Sequence, residues 1–258
     1  AEGAGAEEDE GPDTAEDLHP IRAKAGQQLG GRYVLDEVVV RRSHTQTWLA
    51  TDKVLSRQVV IHLLPPGEDD EQVLVAARRA AVATDSRFLR VLDAQTGDLV
   101  AQTWDPDADE PIGPYIVCEY AAGMSLEELL AAGPLSALES AWLVREVADA
   151  LVGMHEQRLY HERINPGTVL ITATGNVKIV GFLLESELTE VRNPLVPSAD
   201  PERIDVTDLG RLLYCTLVSR WPGGHAYGMA AAPIDAEGHL LTPRQVRAGV
   251  SPALDTIC

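Results

Sequence analysis

Between Tyr33 and Pro65 the chain alternates short apolar runs with turn-type residues. "RYVLDEVVV", "TQTWLATD" and "RQVVIHLLP" are β-branched or alternate apolar with polar, the period of a half-buried strand, so an antiparallel meander is expected. "DEQVLVAARRAAVA" sets Leu74, Ala77 and Ala81 at helical spacing and predicts one helix. "RFLRVLDAQTGDLVAQTW" predicts a hairpin turning at Thr96–Gly97, and "GPYIVCEYA" an apolar strand ending near Gly123.

The second half has a different period. Ser125 with Glu128, and Ser136 with Glu139, match the capping box, where hydroxyl and carboxylate satisfy free backbone amides at a helix start, so two helices begin there. On the second, Val144, Val147, Ala148, Leu151 and His155 form the expected buried stripe, with Glu146 and Asp149 off it. "TVLITATGNVKIV" predicts a hairpin turning at Gly175–Asn176, and "IDVTDLGRLLYCTLVS" a further apolar helix. Strands first and helices afterwards give an α+β class.

Composition narrows the setting. The 258 residues are 45% hydrophobic and 5% aromatic, enough for an aliphatic core in one large or two small domains. A net charge of -19 disfavours nucleic acid and anionic membrane surfaces as direct ligands, because the summed field repels phosphates. Residues 1–27 carry eight acidic and two basic residues and almost no large apolar side chain, so an acidic disordered linker is expected there, with lobes over 28–120 and 121–258. The seven His show no one-turn pair of the helical zinc kind, and no metal or cofactor is expected. Cys118, Cys215 and Cys258 lie far apart, as thiols of a reducing compartment do. No run reaches the length needed to span a bilayer, and the start without Met suggests a region excised from something longer.

Five stretches, in order, carry a resemblance: "RYVLDEVV", "GPYIVCEYAAGMSLEELL", "LYHERINPGTVLI", "GNVKIVGF" and "DVTDLGRLLY". Over roughly residues 31–258 they resemble the bacterial Ser/Thr protein kinase family, which implies a two-lobed fold with a strand-rich N-lobe and a helical C-lobe. The phrasing is similar to the actinobacterial receptor-kinase group. Within it, the altered motifs and the acidic lead-in resemble the intracellular kinase-homology region of mycobacterial membrane proteins of the MviN (MurJ-like) group, linked to peptidoglycan precursor export. That likeness implies a domain at the cytoplasmic face of the membrane, tethered by a part not in this chain, and a kinase lobe that would run on past Cys258.

Aligned on the family's motifs, the catalytic positions are replaced. Val40, Arg42 and Thr45 stand at the three positions of the Gly-rich loop, with Thr47 at the following Val. His62 stands at the phosphate-binding Lys and Ala80 at its Glu partner. In the loop of form H-R-D-x-x-x-x-N, Arg163 stands at the base and Thr168 at the metal-binding Asn. Gly181 and Leu183 replace the Asp and Gly of D-F-G. Lys53 could in principle stand in for the phosphate-binding lysine from a neighbouring strand, but "ATDKVLSR" reads as an exposed turn. His161, Phe182 and Asp205 match positions whose family role is structural, Asp205 resembling the helix Asp that holds the catalytic-loop backbone. Between Leu183 and Pro201 the activation-segment equivalent is short, and "DPER" is its nearest relic of A-P-E.

Three expectations follow from the resemblance. The first is a pseudokinase, not an enzyme, that is phosphorylated by an active Ser/Thr kinase and recruits a phosphothreonine-reading FHA-type partner, with Thr14, Thr189 and Thr256 as candidate acceptors. The second is a nucleotide-binding relic or weak atypical kinase. The third is a structural regulatory cap of a membrane transporter. "RWPGGHAYGMAAAPIDAEGHLL" is a possible second interaction surface, with exposed aromatics, or an irregular stretch after the central helix.

Overall fold

A computed structural model describes residues 21–42, 45–64, 70–95, 113–182, 184 and 200–258, with backbone alone at 70–73 and 76. One antiparallel sheet is built from β1 (Gln28–Leu29), β2 (Tyr33–Arg41), β3 (Gln46–Asp52), β4 (Arg57–Leu63), β5 (Val91–Gln95) and β6 (Tyr115–Glu119), in the order β1-β2-β3-β4-β6-β5. The meander read from the sequence is β2-β3-β4. Along β3 the alternation is strict: Gln46, Trp48, Ala50 and Asp52 face inward. There Trp48 and Ala50 meet Leu35, Val59, Ile61, Tyr115 and Val117 in one cluster.

Asp52 is the charged member of that inner row. Arg32 donates to both its oxygens, Nε at 3.0 Å and Nη2 at 2.7 Å, and the N–H groups of Val54 and Leu55 point at Oδ1. Those donors hold the Asp52 carboxyl down at about 2 and pin the β3–β4 turn to the strand before it. Residues 21–27, counted with the acidic lead-in on composition, lie against this sheet instead. Gln46 Nε2 donates to the Ile21 carbonyl at 2.8 Å, Gly26 N–H to the Leu35 carbonyl at 2.7 Å, and Ala23 is buried.

Helix α1 (Asp70–Ala80) turns Leu74, Ala77 and Ala80 inward, and Ala83 just beyond it is also buried. The expected stripe is displaced at its end, because the helix stops at Ala80 and leaves Ala81 exposed in the following turn. The turn at Thr96–Gly97 lies outside the described residues, as do residues 1–20, His44, Leu183, Thr14 and Thr189. Its first strand is β5, at the sheet edge beside β6.

The second half begins with β7 (Gly123–Ser125), α2 (Leu126–Ala131) and α3 (Ala137–His155). Both capping boxes are present as read: Ser125 and Glu128 open α2, Ser136 and Glu139 open α3. On α3 the buried line runs through Leu143, Val147, Ala150, Leu151 and Met154, while Val144, Ala148 and His155 flank it half-buried. The shift arises because α3 packs on two partners, α4 and β9, whose contact is wider than one stripe. The hairpin β8 (Val169–Thr172) and β9 (Val177–Ile179) turns at Gly175, and β7 completes a three-stranded sheet. Gly123 is obligatory there, since a Cβ would stand 2.7 Å from the Ile171 carbonyl oxygen.

Helix α4 (Pro201–Val218) is the centre of this half, with Leu212 through Val218 all buried. "DPER" is its start: Asp200 caps the helix by accepting from Glu202 N–H at 3.2 Å, and Pro201 fills the first turn, where no N–H is needed. Beyond it, the aromatics expected on the surface are packed inward. Trp221 is buried, and its ring meets Tyr227 edge-on at 4.8 Å. Short helices α5 (Pro243–Val246) and α6 (Pro252–Ile257) end the described chain.

Candidate functional site

Residues 156–168 link α3 to β8, and the last residues of the 159–171 motif enter β8 itself. The anchor of this link is Asp205 on α4, fully enclosed. Oδ2 accepts from the His161 N–H at 2.9 Å and pairs with His155 Nε2 at 2.8 Å, and Oδ1 accepts from the Glu162 N–H at 2.7 Å. That grip holds Glu162 at a φ of 60°, a conformation a non-glycine residue keeps only where its surroundings impose it. His161, also enclosed, bonds the Val180 carbonyl through Nε2 at 2.9 Å and lies 6.2 Å from the Phe182 ring. Phe182 in turn packs on Phe88 at 4.6 Å. The structural roles expected of His161, Phe182 and Asp205 are thus visible as contacts.

The expected catalytic positions fall into two groups. Arg163, Thr168 and Gly181 converge on this loop. Thr168 Oγ1 accepts from the Asn165 N–H at 3.0 Å and donates to the Asn165 carbonyl at 2.9 Å, and Val180 N–H donates to the Thr168 carbonyl at 2.8 Å. The hydroxyl at the metal-binding position is therefore engaged with its own loop. Asn165, missed on sequence, completes this internal bonding: Nδ2 donates to the Arg163 carbonyl at 2.8 Å and Oδ1 accepts from the Gly167 N–H at 2.9 Å. The Asn-Pro-Gly run at 165–167 signals such a turn and could have revealed it. Arg163 is a permanent cation that cannot take a proton. Gly181 has a φ of 77°, a conformation glycine takes at no steric cost, and its carbonyl accepts from the Leu184 N–H at 2.8 Å.

His62 and Ala80 belong to the sheet half. His62, on β4, faces Thr47 on β3, Oγ1 to Nδ1 at 3.1 Å, so the residues at the Lys and post-glycine positions bond one another. Ala80 is buried on α1. Val40 and Arg42 are exposed, while Thr45 is buried and its carbonyl accepts from Arg42 N–H at 2.9 Å. Lys53 is exposed, with Nζ 3.4 Å from Gln28 Oε1.

The remaining chemistry is modest. Burial raises the Cys118 thiol to about 12, and Cys215 is also raised by burial, so neither is a nucleophile at neutral pH. Among the described residues no group of three or more His, Cys, Asp or Glu is placed to hold a metal ion, and no helix is long and apolar enough to cross a membrane. One carboxylate stands out: Asp208, one turn beyond Asp205, is raised by burial to about 6 even with Arg211 Nη1 donating to it at 3.0 Å.

A curled antiparallel sheet followed by a helical half, with a loop anchored on a central helix, is a protein kinase-like α+β fold. Rad53 residues 1–466, solved with AMP-PNP, share that fold at a TM-score of 0.56 and 18% identity, over 74% of this chain and 49% of that one. By sequence the chain is similar to bacterial kinases. It is 28% identical to serine/threonine-protein kinase PrkC of Bacillus subtilis, over 82% of this chain and 34% of PrkC. With serine/threonine-protein kinase PksC of Streptomyces coelicolor it shares 27% over 90% of this chain and 46% of that protein. With PknB of Mycobacterium tuberculosis it shares 26% over 89% and 39%. The chain spans about a third to a half of these relatives' length. No family model matches.

These relatives overturn one expectation. The replaced positions led to a chain that is not an enzyme, yet proteins named as kinases match it over 82 to 90% of its length. Substitution at aligned positions is not a demonstration of inactivity.

Proposed function

We propose that this kinase-fold chain is a signalling module that works by being phosphorylated: an active Ser/Thr kinase modifies a threonine, and an FHA-type phosphothreonine reader then docks. The supporting observation is Thr256. It is exposed on α6, a helix with no buried residue, and its hydroxyl donates to the Pro252 carbonyl at 2.9 Å. A phosphate there removes that bond and sets a charge of about -1.5 to -2 at a helix C-terminus, where the dipole is unfavourable. The last turn then opens into the extended form in which a reader takes a peptide. Thr14 and Thr189 are alternative acceptors outside the described residues. We place the chain at the cytoplasmic face of a membrane, as the kinase-homology region of a MurJ-like protein, with recruitment coupled to peptidoglycan synthesis.

A second reading is favoured by the relatives' names: the chain binds nucleotide and transfers phosphate itself, weakly. One experiment addresses both. The chain is incubated with magnesium-ATP, with and without an active Ser/Thr kinase, phosphosites are mapped, and pull-down of an FHA domain is compared between the wild type and Thr256→Ala, Thr189→Ala and Thr14→Ala. Capture that needs the added kinase and is lost in one variant supports recruitment. Capture indifferent to phosphorylation removes it, and phosphate incorporation without the added kinase favours the second reading.

A further inference from the structure

Residues 21–27 meet the sheet at a basic corner. At one end of this strap Gly26 N–H donates to the Leu35 carbonyl at 2.7 Å, and Leu35 N–H to the Gln27 carbonyl at 3.0 Å. At the other, the Ile21 carbonyl accepts from Gln46 Nε2 at 2.8 Å, and Gln46 is the cross-strand partner of Arg41. The strap therefore follows β2 from Leu35 toward Arg41, and Ile21 brings the chain before it to the end of the sheet where β2 stops. Arg22, Arg41 and Arg42 are exposed at that end. Neither 21–27 nor 38–49 contains an acid, in a chain whose net charge is -19. At the opposite end of the same strands the cations are already matched, Arg32 and Arg57 lying 2.7 and 3.8 Å from the buried Asp52 carboxylate.

We propose that the acidic run at 7–17 is the occupant of this corner, an intramolecular latch whose carboxylates sit on Arg22, Arg41 and Arg42. The run, "EEDEGPDTAED", has seven acids and no base. It ends four residues before Ile21, at most about 14 Å of chain. That short connection keeps the carboxylates near the corner at high effective concentration, and each guanidinium can hold a carboxylate through two N–H groups. A separate acidic partner lacks that advantage and has to overcome repulsion from the rest of the chain. Thr14 lies inside the run, so the latch sets the access of a kinase or a reader to that candidate acceptor, and it stands whether or not Thr14 is modified.

The test uses the whole chain with a nitroxide on Ala15→Cys, in a Cys258→Ser background because Cys258 is the exposed thiol and Cys118 and Cys215 are buried. At low salt the amide signals of residues 40–42 and 45–47 are expected to be broadened at least twice as strongly as at about 0.5 M NaCl, where screening leaves charges a reach of only a few Å. Arg41→Glu combined with Arg42→Glu is expected to give the same loss at low salt, while signals of residues 53–56, at the far end of the strands, stay sharp throughout. Broadening indifferent to salt and to charge reversal overturns the proposal, because that is what the covalent connection alone produces. If the reversed variant does not fold, Glu7→Gln, Glu8→Gln, Asp9→Asn and Glu10→Gln together take its place, with the same two outcomes. Mixing a spin-labelled copy with an isotope-labelled copy that carries no nitroxide separates a second chain from this one. Sharp signals in the mixture support the latch, and broadening there gives the corner to another copy and overturns it.

Discussion

At the scale of single residues, two acids on α4 do opposite work. Asp205 is fully enclosed and stabilised by two backbone N–H groups and His155, so Asp205→Ala leaves three polar groups without an acceptor and releases Glu162 from its φ of 60°. A loss of about 3–5 kcal/mol in urea unfolding is expected. Asp208 is strained by burial: its folded value, about 6, lies above its ordinary 3.8. The folded state therefore holds this proton more tightly than the unfolded chain. The stability it contributes is complete below the ordinary value and disappears as pH rises through about 6. Relative to Asp208→Asn, wild type should thus gain about 1–3 kcal/mol between pH 7 and pH 4, and parallel profiles for the two proteins would contradict this. Of these residues, Asp205 and His161 were legible through their motifs, because their partners are backbone groups at fixed places. Asp208 was not, since what matters about it is burial, which no motif records, and Asn165 was missed although its turn is local.

At the scale of elements, starts and stops were the most readable feature. Capping is local chemistry: Ser136 Oγ accepts from Glu139 N–H at 3.2 Å while Glu139 Oε2 accepts from Ser136 N–H at 2.8 Å, all within four residues. Ser136→Ala should cost about 1 kcal/mol, read as a lower thermal midpoint, with α3 fraying at its first turn in hydrogen exchange. Which side of a helix is buried was less readable, because α3 and α1 are each covered by more than one neighbour or end earlier than their periodicity suggests. The start of α4 was misread because Asp-Pro was weighed as a motif relic, although Asp before Pro is also a helix-start signal. For α6 the expectation is specific: phosphorylation of Thr256 should raise amide exchange of residues 254–258 severalfold while α5 is unaffected, and Thr256→Glu should reproduce part of the effect. Unchanged exchange would mean that the helix accommodates the phosphate and that a reader must find another threonine.

At the scale of the whole molecule, the sheet half and the helical half are joined by a residue no motif singled out. Arg87 lies between α1 and β5, and its carbonyl accepts from the Ile179 N–H at 2.7 Å, so it already touches β9 through its backbone. Its guanidinium then reaches α3: Nη1 donates to the Glu146 carbonyl at 2.9 Å and to Oε2 at 3.2 Å, and Nη2 donates to Asp149 Oδ2 at 2.9 Å. Asp85 takes the other side of the fork, from Nε at 2.9 Å and Nη2 at 2.7 Å. The sequence set Glu146 and Asp149 off the buried stripe of α3, which holds for that helix alone and is incomplete once Arg87 docks there. Because the guanidinium is 19% exposed, its pairs are screened less than surface pairs but are not fully desolvated, and Arg87→Gln should cost about 1–3 kcal/mol. Lysine cannot present the planar fork, so Arg87→Lys should recover less than half of that loss. The distinguishing measurement is hydrogen exchange: amides of residues 87–91 and 177–179 should open faster in both variants, with α4 unchanged, since Arg87 anchors the joint and not the core of either half. Full rescue by lysine, or loosening spread evenly over α4, would show that the halves are held together by apolar packing around Phe88 and Phe182 instead of by this fork.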